Sequence, residues 1–361
     1  MSSRSRSAGV VRALSLSLSL SIALGACSAG VPAAPSATPA ASTAAPPSAT
    51  TAATVATTPS ATPAATASPS LEPSPGAAFP VTISDDEGTA VEIAAAPSRI
   101  VSLSPASTET LFELGAGARV VATDSASDYP ETAAGLPDVA DFTKVDVEAV
   151  VALDPDLVIA GGLGFTPADD VTRLRGLGVP VVVIYAPTVE AVYHDIELVG
   201  AAIGEVERAS DLTDGMRAEI DTIHQAVSGQ DERPRVYYEV GYTDATGEIY
   251  APADGSFLAE MVALAGADPI TTGDPNDYQI PLETLIERDP QIIILGVNPF
   301  YEPTPEAVTK RTGWKVMTAV KNGDIRPVRD IEITRPGPRL PIGLRNLAQG
   351  IWPDLDLPGA P

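Results

Sequence analysis

Asp146–Gly161 reads DVEAVVALDPDLVIAG, and 135 positions later Pro281–Gly296 reads PLETLIERDPQIIILG. Aligned without gaps, Glu148 falls on Glu283, Asp154 on Asp289, Pro155 on Pro290 and Gly161 on Gly296. Val147, Val150 and Val151 in one copy, and Leu282, Leu285 and Ile286 in the other, keep the i, i+3, i+4 spacing that only a helix gathers on one face. The residue before each proline is pushed out of helical geometry and an aliphatic run follows, so each copy predicts helix, stop, buried strand. The paired Glu lies in the first helical turn but off the apolar stripe, so each copy is expected to turn a carboxylate to solvent. Chance reuse of a common α/β pattern is one reading of the repeat; two similar α/β lobes, each with an equivalent surface Glu, is the other.

The flanks of both copies carry the same alternation. Before the first, Arg99–Ser104 predicts a strand, Ser104 and Pro105 cap and open a helix through Leu111 and Leu114, and Arg119–Thr123 predicts another strand. After it come a helix near Asp169–Leu177, a strand at Val181–Ile184 and a helix Val189–Ile203 stopped by Gly204. Around the second copy the order is strand Arg235–Val240, a segment at Glu248–Ala251, helix Ser256–Ala265, helix Thr312–Val320, strand Asp324–Val328 and helix Leu340–Ile351. Strands alternating with helices imply a mainly parallel sheet covered on both faces. Between the halves, Val206, Ala209, Leu212, Met216, Ile220, Ile223 and Val227 hold helical spacing for about 34 Å at 1.5 Å per residue. Such a helix either packs on one lobe or crosses to the other.

The chain begins differently. Arg4, Arg6 and Arg12 precede an apolar run from Leu14 to Leu24, too short to span a bilayer, and the pattern predicts a secretion signal. It ends Leu24-Gly25-Ala26-Cys27, similar to the lipobox of bacterial lipoproteins, and Cys27 is the sole cysteine, so it has no disulfide partner in the chain. Lipid attachment at Cys27 is therefore expected, which would hold the protein on the outer face of the cytoplasmic membrane. From Ser28 to Ala78, 45 of 51 residues are Ala, Pro, Ser or Thr, with no aromatic and one charge, Glu72. That composition cannot bury enough surface to offset the entropy of ordering and predicts a tether of roughly 40 Å as a coil.

Composition excludes several functions. The formal charge is −25, which argues against nucleic acid as a partner. His194 and His224 are the only histidines, 30 positions apart, so neither an HExxH site nor a His/Cys metal cluster can be assembled. Gly161–Gly164 is GGLG rather than GxGxxG, and P-loop and GxSxG signatures are absent from the sequence. With 47 acidic residues, chance carboxylate pairs carry no catalytic signal. No enzyme activity and no cofactor are expected.

RIVSLSPASTETLFELGAG, SDYP, DVEAVVALDPDLVIAGG, GSFLAEMVALAGAD and TRPGPRL, in this order and spacing, together resemble the periplasmic binding proteins of ABC importers for vitamin B12, ferric siderophores and haem. The resemblance runs from about Val81 to Trp352. It implies an α/β fold of two Rossmann-like lobes joined by one long helix (class III), with a guest held between them. The implied plan is a signal peptide (1–27), a linker (28–78), a first lobe (79–204), a connecting helix (205–228) and a second lobe (233–355). It also implies that Glu148 and Glu283 dock onto arginines of two permease subunits, as one surface Glu per lobe does in the vitamin B12 importer, where an ATPase drives transport; a monomer is expected.

For the guest, an iron chelate or corrinoid, Tyr129 in SDYP matches a cleft Tyr of the vitamin B12 binders, Phe142 stands near one of their tryptophans, and Asp330 near a cleft Asp. Where they have a second Trp this chain has Gly161, and Val240 replaces a Phe. Phe165, Tyr242 and Tyr278 either replace that aromatic surface or pack their own loops. Arg335 and Arg339 are candidates for an anionic group on the guest; Arg339 fits equally well as a tie for its loop or the last helix. Haem or another metal chelate is the alternative guest, and a surface sensor without transport the alternative role.

Overall fold

A computed structural model describes residues 79–162, 165–298 and 301–357. The signal peptide, Cys27 and the linker lie outside the described residues. The first half runs β1 (Val81–Ser84), β2 (Ala90–Ile93), β3 (Ile100–Ser102), α1 (Pro105–Glu113), β4 (Val120–Asp124), β5 (Asp138–Asp141), β6 (Lys144–Val145), α2 (Val147–Ala152), β7 (Leu157–Gly161), α3 (Ala168–Gly176), β8 (Val181–Ile184) and α4 (Val189–Ile203). After α5 (Val206–Ser228), the second half runs β9 (Arg235–Glu239), β10 (Gly241–Thr243), β11 (Glu248–Tyr250), α6 (Phe257–Leu264), β12 (Asp268–Pro269), α7 (Leu282–Arg288), β13 (Ile292–Val297), α8 (Pro305–Lys310), α9 (Thr318–Asn322), β14 (Ile325–Arg329), α10 (Ile331–Thr334) and α11 (Leu340–Ile351).

Two sheets result. The first has the order β6-β5-β4-β3-β7-β8, parallel except for β6; the second is β12-β9-β13-β14, parallel throughout. The repeat occupies the same place in each. α2 leads into β7, which pairs with β3, and α7 leads into β13, which pairs with β9. The likeness extends to the backbone. Among the described residues, only Asp154 (φ 48°) and Asp289 (φ 43°) are non-glycines in left-handed geometry, and they are the equivalent residues before proline. The following proline requires only that these residues leave the right-handed helix; the left-handed well, which Asp tolerates, is how they do so.

The same stop is tied down in a similar way in both copies. Arg99, entering β3, donates to the Leu153 carbonyl at the end of α2; Arg235, entering β9, donates to the carbonyls of Arg288 and Asp289 at the end of α7. The backbone N–H of Arg99 donates to Asp156 (2.9 Å) and that of Arg235 to Gln291 (3.0 Å), residues that are themselves aligned in the repeat.

α5 crosses between the halves. Near its start Arg208 donates to the Leu114 carbonyl and Ala209 packs at Gly200 of α4; near its end His224 meets the Leu264 carbonyl of α6 and Val227 lies against Gly266. Met216, Ile220, Ile223 and Val227 are buried in one apolar core that takes Ile196, Val199 and Ile203 from the first lobe and Leu344, Leu347 and Ile351 from the second. Each such side chain contributes roughly 1.5–3 kcal/mol by leaving water. The ion pairs on the rim, Arg217–Glu190 and Arg345–Glu219, are partly exposed and contribute about 0–1 kcal/mol each. Burial therefore holds the rod to both lobes.

Some expectations needed correction. Thr312–Val320 is not one helix: a single 3-10 turn at Trp314–Val316 precedes α9, because Met317 adopts extended backbone between them. The β1–β2 hairpin, unassigned in the sequence reading, covers the edge of β8: Asp85 accepts from the Val183 N–H and pairs with Arg175, and Asp86 accepts from the Tyr185 N–H. An exposed strand edge is thereby closed.

Candidate ligand site at the seam between the lobes

Loops leaving the C-terminal edges of the two sheets meet each other, which is where open α/β sheets bind small molecules. At one end the loop after α10 reaches the start of α1. Gly337 lies beside Ala106, and two arginines of the second lobe converge on Glu109, a buried carboxylate one turn into α1. Arg339 grips it in bidentate fashion, Nε to Oε2 at 2.8 Å and Nη2 to Oε1 at 2.6 Å; Arg335 adds 3.1 Å to Oε1 and 2.6 Å to Asp128. Glu332 accepts from Arg339 (3.0 Å) and pairs with Arg329 (2.7 Å). Burial opposes the charge on Arg339, but the hydrogen bonds and charge of Glu109, aided by Glu332, outweigh it and hold the guanidinium above its ordinary pKa. Arg335 and Arg339 thus join the lobes, which decides Arg339's alternatives in favour of a tie, and neither is free for an anionic guest.

The Arg339 guanidinium lies 4.1 Å from the centre of the Tyr129 ring, leaving Tyr129 45% exposed. The loop that carries Tyr129 is fixed from below by hydroxyls. Ser102, Ser104, Ser107, Thr108 and Ser127 form a buried chain of bonds ending on Asp124, whose carboxyl is pushed up by burial against the opposing bonds from Ser127 and Ala126. The sequence reading found only the Ser104 cap in this set. Beside it, Phe142 (59% exposed) and Phe165 (49%) bring their ring centres to 6.5 Å. A side chain at Gly161 would press on Phe165, with its Cβ 2.9 Å from that of Phe165, so Phe165 covers the spot that Gly161 leaves bare.

The second lobe treats its strand ends differently. Asp330 is buried (6% exposed) and accepts from Tyr238 (3.3 Å) and Asn298 (3.1 Å), with its carboxyl raised by burial. It packs over Gly296, where a Cβ would lie 2.3 Å from its Oδ2. Asp330 is therefore held by its own lobe rather than presented to the seam. Tyr242 lies under Arg311 (3.7 Å) and edge-on to Trp314 (6.0 Å), so its ring packs the lobe. Arg311 in turn pairs with buried Glu239, which also accepts from Tyr301 at 2.7 Å. Of Tyr242, Tyr278 and Asp330, only Tyr278 stays open, at 46% exposed. The hydroxyl of Tyr185, just after β8, is raised by burial and then by the charge of Tyr278.

Sequence reasoning missed Glu109, Asp128 and the hydroxyl chain. One signal existed: Arg329–Arg339 holds three arginines but only Asp330 and Glu332, so a carboxylate from elsewhere was needed. On the outer surface, Glu148 and Glu283 are the second residues of α2 and α7; both are exposed, and neither forms an ion pair among the described residues.

A family model described as periplasmic binding protein matches residues 100–330. The chain belongs to that family. It is 32% identical over 282 residues to an uncharacterized ABC transporter substrate-binding lipoprotein, YvrC, of Bacillus subtilis, covering 76% of this chain and 87% of the relative. It is 31% identical over 277 residues to a cobalamin-binding protein of Halobacterium salinarum, covering 73% and 72%. A possible iron-binding periplasmic solute-binding protein of Staphylococcus epidermidis superposes with a TM-score of 0.62 at 26% identity, covering 72% of this chain and all of that one. The two-lobed α/β arrangement of this chain is consistent with that family.

Proposed function

We propose that this chain is the substrate-binding component of an ABC importer, which takes a corrinoid or iron chelate between its lobes and passes it to a permease driven by an ATPase. The observation that carries this reading is the seam itself: Tyr129, Phe142, Phe165 and Tyr278 expose their rings on loops that leave the C-terminal strand edges. Apolar faces ringed by a few polar groups suit a flat or cage-like chelate. These four side chains are the contacts proposed for the guest. Arg335 and Arg339 hold the lobes together, and Tyr242 and Asp330 shape the wall behind.

The chain itself contributes binding and delivery, with no covalent step and no resident cofactor. Glu148 and Glu283 are the proposed docking points: a two-fold permease offers two equivalent basic sites, and a protein with a repeated helix can meet both. Lipid attachment at Cys27 would place the body on the outer membrane face at the end of its tether.

Calorimetric titration with cyanocobalamin, ferrioxamine B and haemin tests the reading without relying on tryptophan emission, since Trp314 is buried against Tyr237 and Tyr242. At least one should bind, and Tyr129→Ala or Phe165→Ala should weaken it by about 1–3 kcal/mol, the scale of a lost aromatic contact. Unchanged binding in both variants would move the site elsewhere.

A further inference from the structure

We infer that the guest is neutral or cationic, and that the seam selects against anionic chelates. This rests on the ligand reading above and adds the charge class. At the seam the guanidinium groups are already matched within the protein. Arg335, Arg339 and Arg329 face Glu109, Asp128 and Glu332, and Arg311 faces Glu239. Lys144 stands opposite Asp141 in the β5–β6 pairing, where Asp141 is held low by the Thr143 hydroxyl and backbone and, less strongly, by Lys144. The balance then tips to negative. Oε2 of buried Glu332 has no hydrogen-bond partner among the described residues. Beyond those pairs, residues 125–137 add Glu131 and residues 240–248 add Asp244 and Glu248, with no further cation in either stretch.

An anion could recruit Arg339 or Arg335 only by taking from buried Glu109 one of the two guanidinium groups that hold it, and weakening the pairing of a buried charge is costly. Left in place, the carboxylates repel it. A neutral guest meets neither obstacle, and the exposed rings of Tyr129, Phe142 and Phe165 give it apolar contact; a cation gains from the ring faces as well.

The test uses the full chain and matched probes that differ in charge but little in shape: cyanocobalamin with its tricarboxylic acid, ferrioxamine B with its succinylated form, and haemin with its dimethyl ester. In whichever pair binds, the less negative member should bind about 10- to 100-fold tighter at low salt. Glu109→Gln, which uncovers positive charge, should narrow that gap about tenfold. Equal or tighter binding of the more negative member by the unaltered chain would overturn the inference while leaving the importer reading intact. Binding of none of the six would overturn the ligand reading, and this inference with it.

Discussion

The two copies of the repeated helix and strand share a backbone and diverge at their tips. Both stop at a left-handed Asp, both are tied by an arginine from the neighbouring strand, and both end in a glycine against which another side chain rests. Over Gly161 that side chain is Phe165, half open; over Gly296 it is Asp330, buried and hydrogen-bonded. The shared part answers demands of the chain itself: a helix must be stopped and its last carbonyls satisfied. The tips are free of that demand. One lobe exposes the rings of Tyr129, Phe142 and Phe165, the other only that of Tyr278 beside strand ends plugged with polar pairs, and so a symmetric scaffold builds an asymmetric seam.

Breaking the plug should have the largest effect. Arg311→Met leaves Glu239 buried without its charge partner and is expected to cost about 3–5 kcal/mol in chemical denaturation. If the loss stays below about 1 kcal/mol, the second lobe is not held by that pair. A smaller effect belongs to the first lobe. Asp195 on α4 is buried beside Asp86, with Oδ1 unpartnered; burial, then the charge and hydrogen bond of Asp86, push its carboxyl from 3.8 to about 9. Folding thus favours the neutral acid. Below the ordinary carboxylate range the group costs nothing; as pH rises toward 9 the unfolded chain ionises while the folded one keeps its proton, and stability falls. Asp195→Asn keeps a donor toward Asp86 and should flatten that slope, adding about 1–3 kcal/mol at pH 7. A slope unchanged by the substitution would assign the pH dependence to another group.

Much of this architecture was legible in the chain. The repeat located β7 and β13, the apolar stripe of α5 gave its length to within a residue at each end, and Gly204, with φ 81°, stops α4 as its position suggested. Such features are local, set by the spacing of neighbouring residues. The seam was not legible, because Glu109 and Arg339 lie 230 positions apart and their pairing depends on how the lobes dock. Arginines in a loop look like ligand groups until their carboxylates are found. Tyr242 and Tyr278 could not be told apart by type or loop position; Trp314 and Arg311 claim the first, while the second remains open.

The central claim is that the repeat supplies two equivalent docking points flanking one guest. Uptake by cells carrying Glu148→Ala, Glu283→Ala or both, compared with binding by the purified variants, tests it most directly. Each single change should reduce uptake and the pair abolish it, while affinity for the bound probe stays within about 0.5 kcal/mol of the parent, as for surface substitutions away from a site. Normal uptake by the double variant would contradict the account.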